Sequence, residues 1–318
     1  MSKRIVIMGE CMVELYQLVD NVYHQNFAGD VFNTAVYLKR TCENPVDVQF
    51  FTAVGTDLIS DKLVRAVERE KIDTSLMLRT KTARPGLYMI NTDAFGERSF
   101  VYWRDSSAAK QVMQCFNAQL SYNVVKGCDM FYFSGITLAI LSDSDRTQLF
   151  ELVRQLKADG SQIIFDPNYR PALWPNADAA KAAFIQAYSL SDIALPGLDD
   201  HKVLFGAQTT NDVVEQLAQL GVNEIIVKDG KNGINGRFEQ NSFTASAHPV
   251  KKVVDTTAAG DSFNGGYLAA RLGGIAPQYA VKFAARLAGF VVEHTGAIVS
   301  KEHFNGFWAK NRPSVFVK

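Results

Sequence analysis

Seven residues, Asp255 to Asp261, read DTTAAGD and have the make-up of an anion-binding turn that ends in a base. Small side chains from Thr256 to Gly260 leave the backbone open to a ligand. Beyond them Phe263, Tyr267, Leu268 and Leu272 recur at helical spacing, so Asp261 is expected to open a helix. Backbone amides at a helix N-terminus lack intrahelical partners and carry partial positive charge, so they hold an anion unaided. The Asp261 carboxylate is then free to accept a proton from a hydroxyl. The amides of Ala258, Ala259, Gly260 and Asp261 would meanwhile hold the developing charge of a phosphate. An Asp after a Gly turn also serves as a simple N-cap, and the residues alone leave that open. Asp255 follows a β-rich run, Pro249 to Val254.

Three other stretches carry side chains suited to anions. Gly86 to Arg104 holds two β-rich runs around the turn-rich Thr92 to Glu97, which reads as an antiparallel hairpin. On its second strand Phe100, Tyr102 and Arg104 share one face, and Val101 and Trp103 the other. An arginine aligned with aromatics suits an anionic small molecule, although an ordinary amphipathic edge strand has the same pattern. After Ile163 to Phe165 comes DPNYRP, in which Pro167 and Pro171 stiffen a loop carrying Asn168 and Arg170. Polar groups just past the carboxyl end of a parallel strand sit where open α/β sheets bind ligands. A structural turn, with Asp166 and Asn168 bonding their own backbone, is the alternative. The third stretch, Lys228 to Gly233 (KDGKNG), joins two strands and reads first as a hairpin turn, with a nucleotide-facing role suggested by its place before Asp255.

The elements that must position these groups alternate. Strands are expected at Arg4 to Met8, Val48 to Val54, Asp129 to Phe133, Ile163 to Phe165, Ile193 to Leu195, Glu224 to Val227 and near Ile234 to Phe238. Helices are expected at Asn33 to Thr41, Asp61 to Lys71, Ser144 to Ala158 (ended by Gly160) and Ala177 to Tyr188. This order argues for an α/β fold with a mainly parallel sheet and helices on both faces. The 318 residues are 47% hydrophobic, enough for one large domain, and no linker or repeat divides them. Lys plus Arg and Asp plus Glu both number 33, which gives no electrostatic footprint for nucleic acid or a membrane surface. The four cysteines form no CxxC pair and the N-terminus has no signal-like apolar run, so a cytoplasmic protein with reduced thiols is expected. Neither GxGxxG nor GxxxxGK[ST] nor GxSxG occurs, and the five histidines have no metal-ligand spacing.

DTTAAGDSFNGG resembles the C-terminal signature of the ribokinase-like (PfkB-type) carbohydrate kinases. Ala28-Gly29-Asp30 with Asn33 resembles the family's N-terminal sugar-binding turn, and Gly55 with Asp57, DPNYR and KDGKNG fall at matching elements. The resemblance covers the chain and implies one domain over 1–318. This would be a three-layer α/β/α sandwich with a small β-sheet lid from segments at about 10–30 and 84–106. It implies ATP and Mg²⁺, a monovalent cation such as K⁺ as a further expectation, and a homo-oligomer formed through the lid sheet. Asp261 would be the general base, beside an amide cradle at Ala258, Ala259 and Gly260. Gly29, Asp30, Asn33, Tyr88, Tyr102, Arg104 and Arg170 would bind substrate. Asn168, Arg170, Lys228, Gly230, Lys231 and Gly233 would face the nucleotide. GECMVEL, RPGLY and ERSFVYWR are most similar to the branch that phosphorylates 2-keto-3-deoxygluconate at its terminal hydroxyl. A kinase for a neutral sugar, such as fructose or ribose, and a catalytically silent sugar-acid sensor remain alternatives. Two positions depart from the pattern. The usual GAGD has Ala258 at its first place, tolerable if that residue needs neither positive φ nor the closest phosphate approach. The family's NxxE reads Gly197 to Asp200, which leaves Asp200 as the magnesium candidate.

Overall fold

The computed structural model describes residues 2–19, 22–42, 46–92 and 98–312. A nine-stranded sheet runs in the order Asn241–Ala245, Ile234–Phe238, Glu224–Lys228, Ile193–Ala194, Gln162–Asp166, Met130–Ser134, Lys3–Met8, Val46–Val54, Met77–Arg79. The last seven are parallel and the first two antiparallel. The parallel strands are near-continuous apolar runs because both faces are covered. Along the first strand Ile5 and Ile7 pack with the helices Asp30–Thr41, Leu58–Arg69, Ala259–Leu272 and Pro277–Val292. Val6 and Met8 pack with Val112–Gln119, Asp143–Ala158, Ala177–Leu190 and Leu198–Phe205 on the other face. The result is the α/β/α sandwich expected from the alternation.

The chain leaves the Lys3–Met8 strand toward one edge and later returns to build the other half of the sheet from Met130–Ser134 outward. That reversal opens a crevice at the carboxyl ends of the strands. A second sheet of four strands lies over it, ordered Val22–Ala28, Met12–Val19, Leu87–Thr92, Arg98–Trp103. Leu87–Thr92 and Arg98–Trp103 pair antiparallel, with Tyr88 opposite Tyr102. The connecting turn at 93–97 lies outside the described residues.

The run from Pro249 to Val254 is not a strand. Val254 donates its amide to Val292 O at 2.8 Å, so the segment is tied to the end of a helix instead of a ladder. β-rich composition there serves an extended path without a sheet partner. The hairpin around Lys228 to Gly233 does form, with Lys228 opposite Ile234.

Candidate active site

The helix Ala259–Leu272 begins two residues before Asp261, so Asp261 sits in its first turn and Ala258 is the N-cap. Ala258 has φ 61°, in the left-handed region. The condition under which alanine replaces glycine without cost is therefore not met, and the turn carries roughly 1–2 kcal/mol of backbone strain. Asp255 sets the loop from beneath. Buried, it accepts amide hydrogens from Thr257 at 2.9 Å and Gly296 at 2.6 Å.

The FNGG segment explains how this helix meets the N-terminal one. A Cβ at Gly265 would stand 2.7 Å from both Leu38 N and Thr34 O, and one at Gly266 would stand 2.8 Å from Leu287 Cδ2. Two helix backbones thus approach where only glycine fits. The approach brings Asn33 Nδ2 to 2.8 Å from Asp261 Oδ2, as donor to the carboxylate. Asp261 is half-buried, and its pKa is pushed up to about 7 by desolvation, with Asp30 and Asp166 adding repulsion against Asn33 and Lys228.

Lys228 ends its strand with Nζ 2.9 Å from Asn264 Oδ1 and 3.7 Å from Asp166 Oδ1. Asn264 also donates to Asp166 Oδ2 at 2.7 Å. Burial raises the Asp166 pKa, partly offset by Lys228. Asp200 is raised for the same reason and accepts the Tyr169 amide at 3.0 Å. Asn168, at φ 32°, donates to Asp30 Oδ2 at 3.1 Å and so ties the DPNYR loop to the Gly29 turn. Arg170 is exposed, and its guanidinium donates to its neighbour's carbonyl, Tyr169 O, at 3.1 Å.

These groups surround one cavity of about 880 Å³. Gly29, Asp30, Asn33, Tyr88, Tyr102, Arg104, Asn168, Arg170, Asp200, Lys228, Gly230 and Ala258 to Asp261 all line it. Lys231 and Gly233 do not. Gly233, with φ 111° and Ala245 O 2.5 Å from where a Cβ would stand, shapes the hairpin turn. Glu10 lines the cavity too; the sequence carried it within GECMVEL, just past the first strand, without assigning it a role. Arg104 lies one residue beyond its strand, pairs with Glu10, and has its Cζ 5.9 Å from the Tyr102 ring. Tyr88 OH donates to the Glu14 carboxylate.

The combination of a three-layer α/β/α sandwich, a small covering sheet and an acid in a helix's first turn defines a sugar-kinase type of architecture. The chain belongs to the pfkB family of carbohydrate kinases, whose model matches residues 2–303. The 2-dehydro-3-deoxygluconokinase of Escherichia coli is 40% identical over 306 residues, which cover 95% of this chain and 99% of that protein. The enzyme of the same name from Dickeya dadantii is 38% identical over 305 residues, 95% of this chain and 98% of its own. The crystal structure of a putative ribokinase II from E. coli, in complex with ATP and Mg²⁺, matches with a TM-score of 0.81. It is 22% identical and covers 98% of this chain and all of that one, a likeness of fold. Among the described residues no helix is long and apolar enough to cross a membrane.

Proposed function

We propose that this kinase phosphorylates the terminal hydroxyl of 2-keto-3-deoxygluconate, giving the 6-phosphate. The observation that carries the reading is the cavity itself: Asp261 stands at one part of its wall, and two arginines, Arg104 and Arg170, stand at others. A base and cationic groups around one cavity suit a substrate with a hydroxyl at one end and a carboxylate at the other. The names of the relatives at 38% and 40% identity support the same substrate.

In this reading Asp261 takes the hydroxyl proton. A pKa of about 7 suits that task, since a base works best near the ambient pH. Asn33 fixes the carboxylate's orientation through its amide. Gly29, Asp30 and Asn33 hold sugar hydroxyls. Tyr88, whose proton is committed to Glu14, offers its oxygen as an acceptor, and Tyr102 lies beside it. Arg104 and Arg170 receive the carboxylate, with Arg170 also within the nucleotide half of the cavity beside Asn168, Lys228 and Gly230.

The helix start fits a phosphate. A Cβ at Gly260 would meet nothing nearer than Lys228 Nζ at 3.9 Å, so the amide cradle is open and has a cation beside it. When bound, ATP supplies the phosphoryl group and Mg²⁺ screens its charge. Among the described residues no three acidic, His or Cys side chains form a ready-made cage; Asp200 would be the protein's carboxylate for a Mg²⁺ ion, which would otherwise rely on phosphate and water oxygens. The sheet of Met12–Val19, Val22–Ala28, Leu87–Thr92 and Arg98–Trp103 acts as a lid that excludes water. The proposal extends to a cytoplasmic homo-oligomer joined through that sheet, where Val101 and Trp103 are exposed, and to stimulation by K⁺.

ATP consumption measured with 2-keto-3-deoxygluconate, fructose and ribose tests the reading. Turnover of the acid alone is expected. Use of a neutral sugar without the acid would replace it with a neutral-sugar kinase, and no turnover with any would leave a silent sensor.

A further inference from the structure

Arg104 already has a carboxylate partner inside the protein. Glu10 follows the first strand of the main sheet and Arg104 follows the last strand of the small one, so their ion pair joins the two sheets across the cavity wall. Both are buried, at 2% and 9% exposure. The Glu10 backbone is fixed by Gly29, where a Cβ would stand 2.3 Å from Glu10 O. Its side chain is accommodated by Gly86, where a Cβ would stand 2.8 Å from Glu10 Oε1 and 3.1 Å from Arg104 Cβ. The pair is incompletely satisfied, because Glu10 Oε1 and Arg104 Nε are both buried without a hydrogen-bond partner. Two glycines therefore make room for a carboxylate that accepts only part of the bonding its arginine can donate.

We infer that Glu10 is a resident counter-ion for Arg104, a positioning residue that holds the guanidinium aimed into the cavity and weakens its hold on an incoming carboxylate. This rests on the sugar-acid reading above. A guanidinium buried alone is strongly unfavourable, so the ligand-free protein needs an internal anion. Once a substrate carboxylate arrives, the same guanidinium serves two anions that repel each other. Glu10 thus sets how tightly the acid binds and how strongly an acid is preferred over a neutral sugar.

The test is Glu10→Gln. Glutamine keeps the acceptor for Arg104 Nη2 and nearly the same volume but has no charge. Without ligand its Tm should fall, since Arg104 is left uncompensated. Added 2-keto-3-deoxygluconate should then raise Tm by more than it does in the parent, and KM for the acid should drop about tenfold with little change in kcat. Glu10→Ala removes the acceptor as well, so Arg104 loses its aim and KM for the acid should rise. Equal acid-induced Tm shifts in parent and Glu10→Gln would overturn the inference, as would a KM that stays level or rises. If Glu10→Gln does not fold alone, recovery of the fold on adding the acid supports the inference and failure to recover overturns it. Turnover of the acid by the parent is a separate measurement, so the substrate reading and the role of Glu10 fail independently.

Discussion

Asp261→Asn should make the protein inactive and, at alkaline pH, more stable. The structure gives both signs. The Asp261 carboxyl has its pKa raised from 3.8 to about 7, chiefly by desolvation and secondly by Asp30. Below pH 3.8 the folded and unfolded chains both hold the proton. As pH rises from 3.8 to about 7, the unfolded carboxyl ionises while the folded one resists, so stability is lost across that window and levels off above it. A shift of about three units corresponds to about 4 kcal/mol, reduced to about 2–4 kcal/mol because a half-buried group is partly screened by solvent. Asparagine carries no such cost and can still accept from Asn33. Urea unfolding of parent and mutant should therefore show a stability gap that widens by about 1–3 kcal/mol between pH 5 and pH 8. Over the same range the parent's kcat/KM should fall tenfold per unit as pH drops below about 7, and the mutant's kcat should be lower by about 10²–10⁴. A constant stability gap would mean that Asp261 ionises as an ordinary surface carboxyl. Turnover of the mutant within a few-fold of the parent would remove Asp261 as the base.

Four further outcomes follow from the geometry. Ala258→Gly should raise the urea midpoint by about 1 kcal/mol of stability, since glycine adopts φ 61° freely, and Ala258→Val should lower it. Gly265→Ala places a methyl 2.7 Å from Leu38 N and Thr34 O; it should cost about 1–3 kcal/mol and lower kcat by parting Asn33 from Asp261. Arg104→Leu should raise KM for the sugar acid about ten- to a hundred-fold and leave a neutral sugar's KM little changed, because hydrogen bonds to charged groups are worth about 1.5–3 kcal/mol each. His201 is buried and its pKa is pushed down to about 4 by desolvation, so its contribution runs opposite to that of Asp261. Stability is lost as pH falls from 6.5 toward about 4, by up to about 3 kcal/mol, and unfolding of His201→Gln against the parent should show that slope removed.

The apolar runs at Ile5 to Met8 and Ile163 to Phe165 made the parallel sheet legible, since strands covered on both faces have little choice of composition. The DTTAAGD turn was legible because small residues before an acid at a helix start serve few other ends. Pro249 to Val254 misled, because β-branched residues favour an extended path whether or not a ladder receives it. The strand Asn241–Ala245 was missed: it lies at the sheet edge, and its apolar alternation rests on Phe243 and Ala245 alone, too short a pattern to stand out. Ala258's left-handed backbone was hidden because the residue type argues against it. Glu10 and its bond to Arg104 could not be read from spacing, since the two residues meet only after both sheets are in place.

The small sheet is joined by parallel pairing of Met12–Val19 with Leu87–Thr92, Val13 standing opposite Leu87. Between those strands the chain builds the helices Asp30–Thr41 and Leu58–Arg69 and two strands of the main sheet. Closing so long a loop is entropically slow, so this pairing belongs late in folding, after the intervening segment has collapsed onto its core. The same economy works in reverse. In the single protomer one face of this sheet is open to water, and unzipping it leaves the two large apolar layers intact. Its amides should exchange with solvent through a partial opening well below the free energy of global unfolding, and that opening gives the cavity a door independent of the frame.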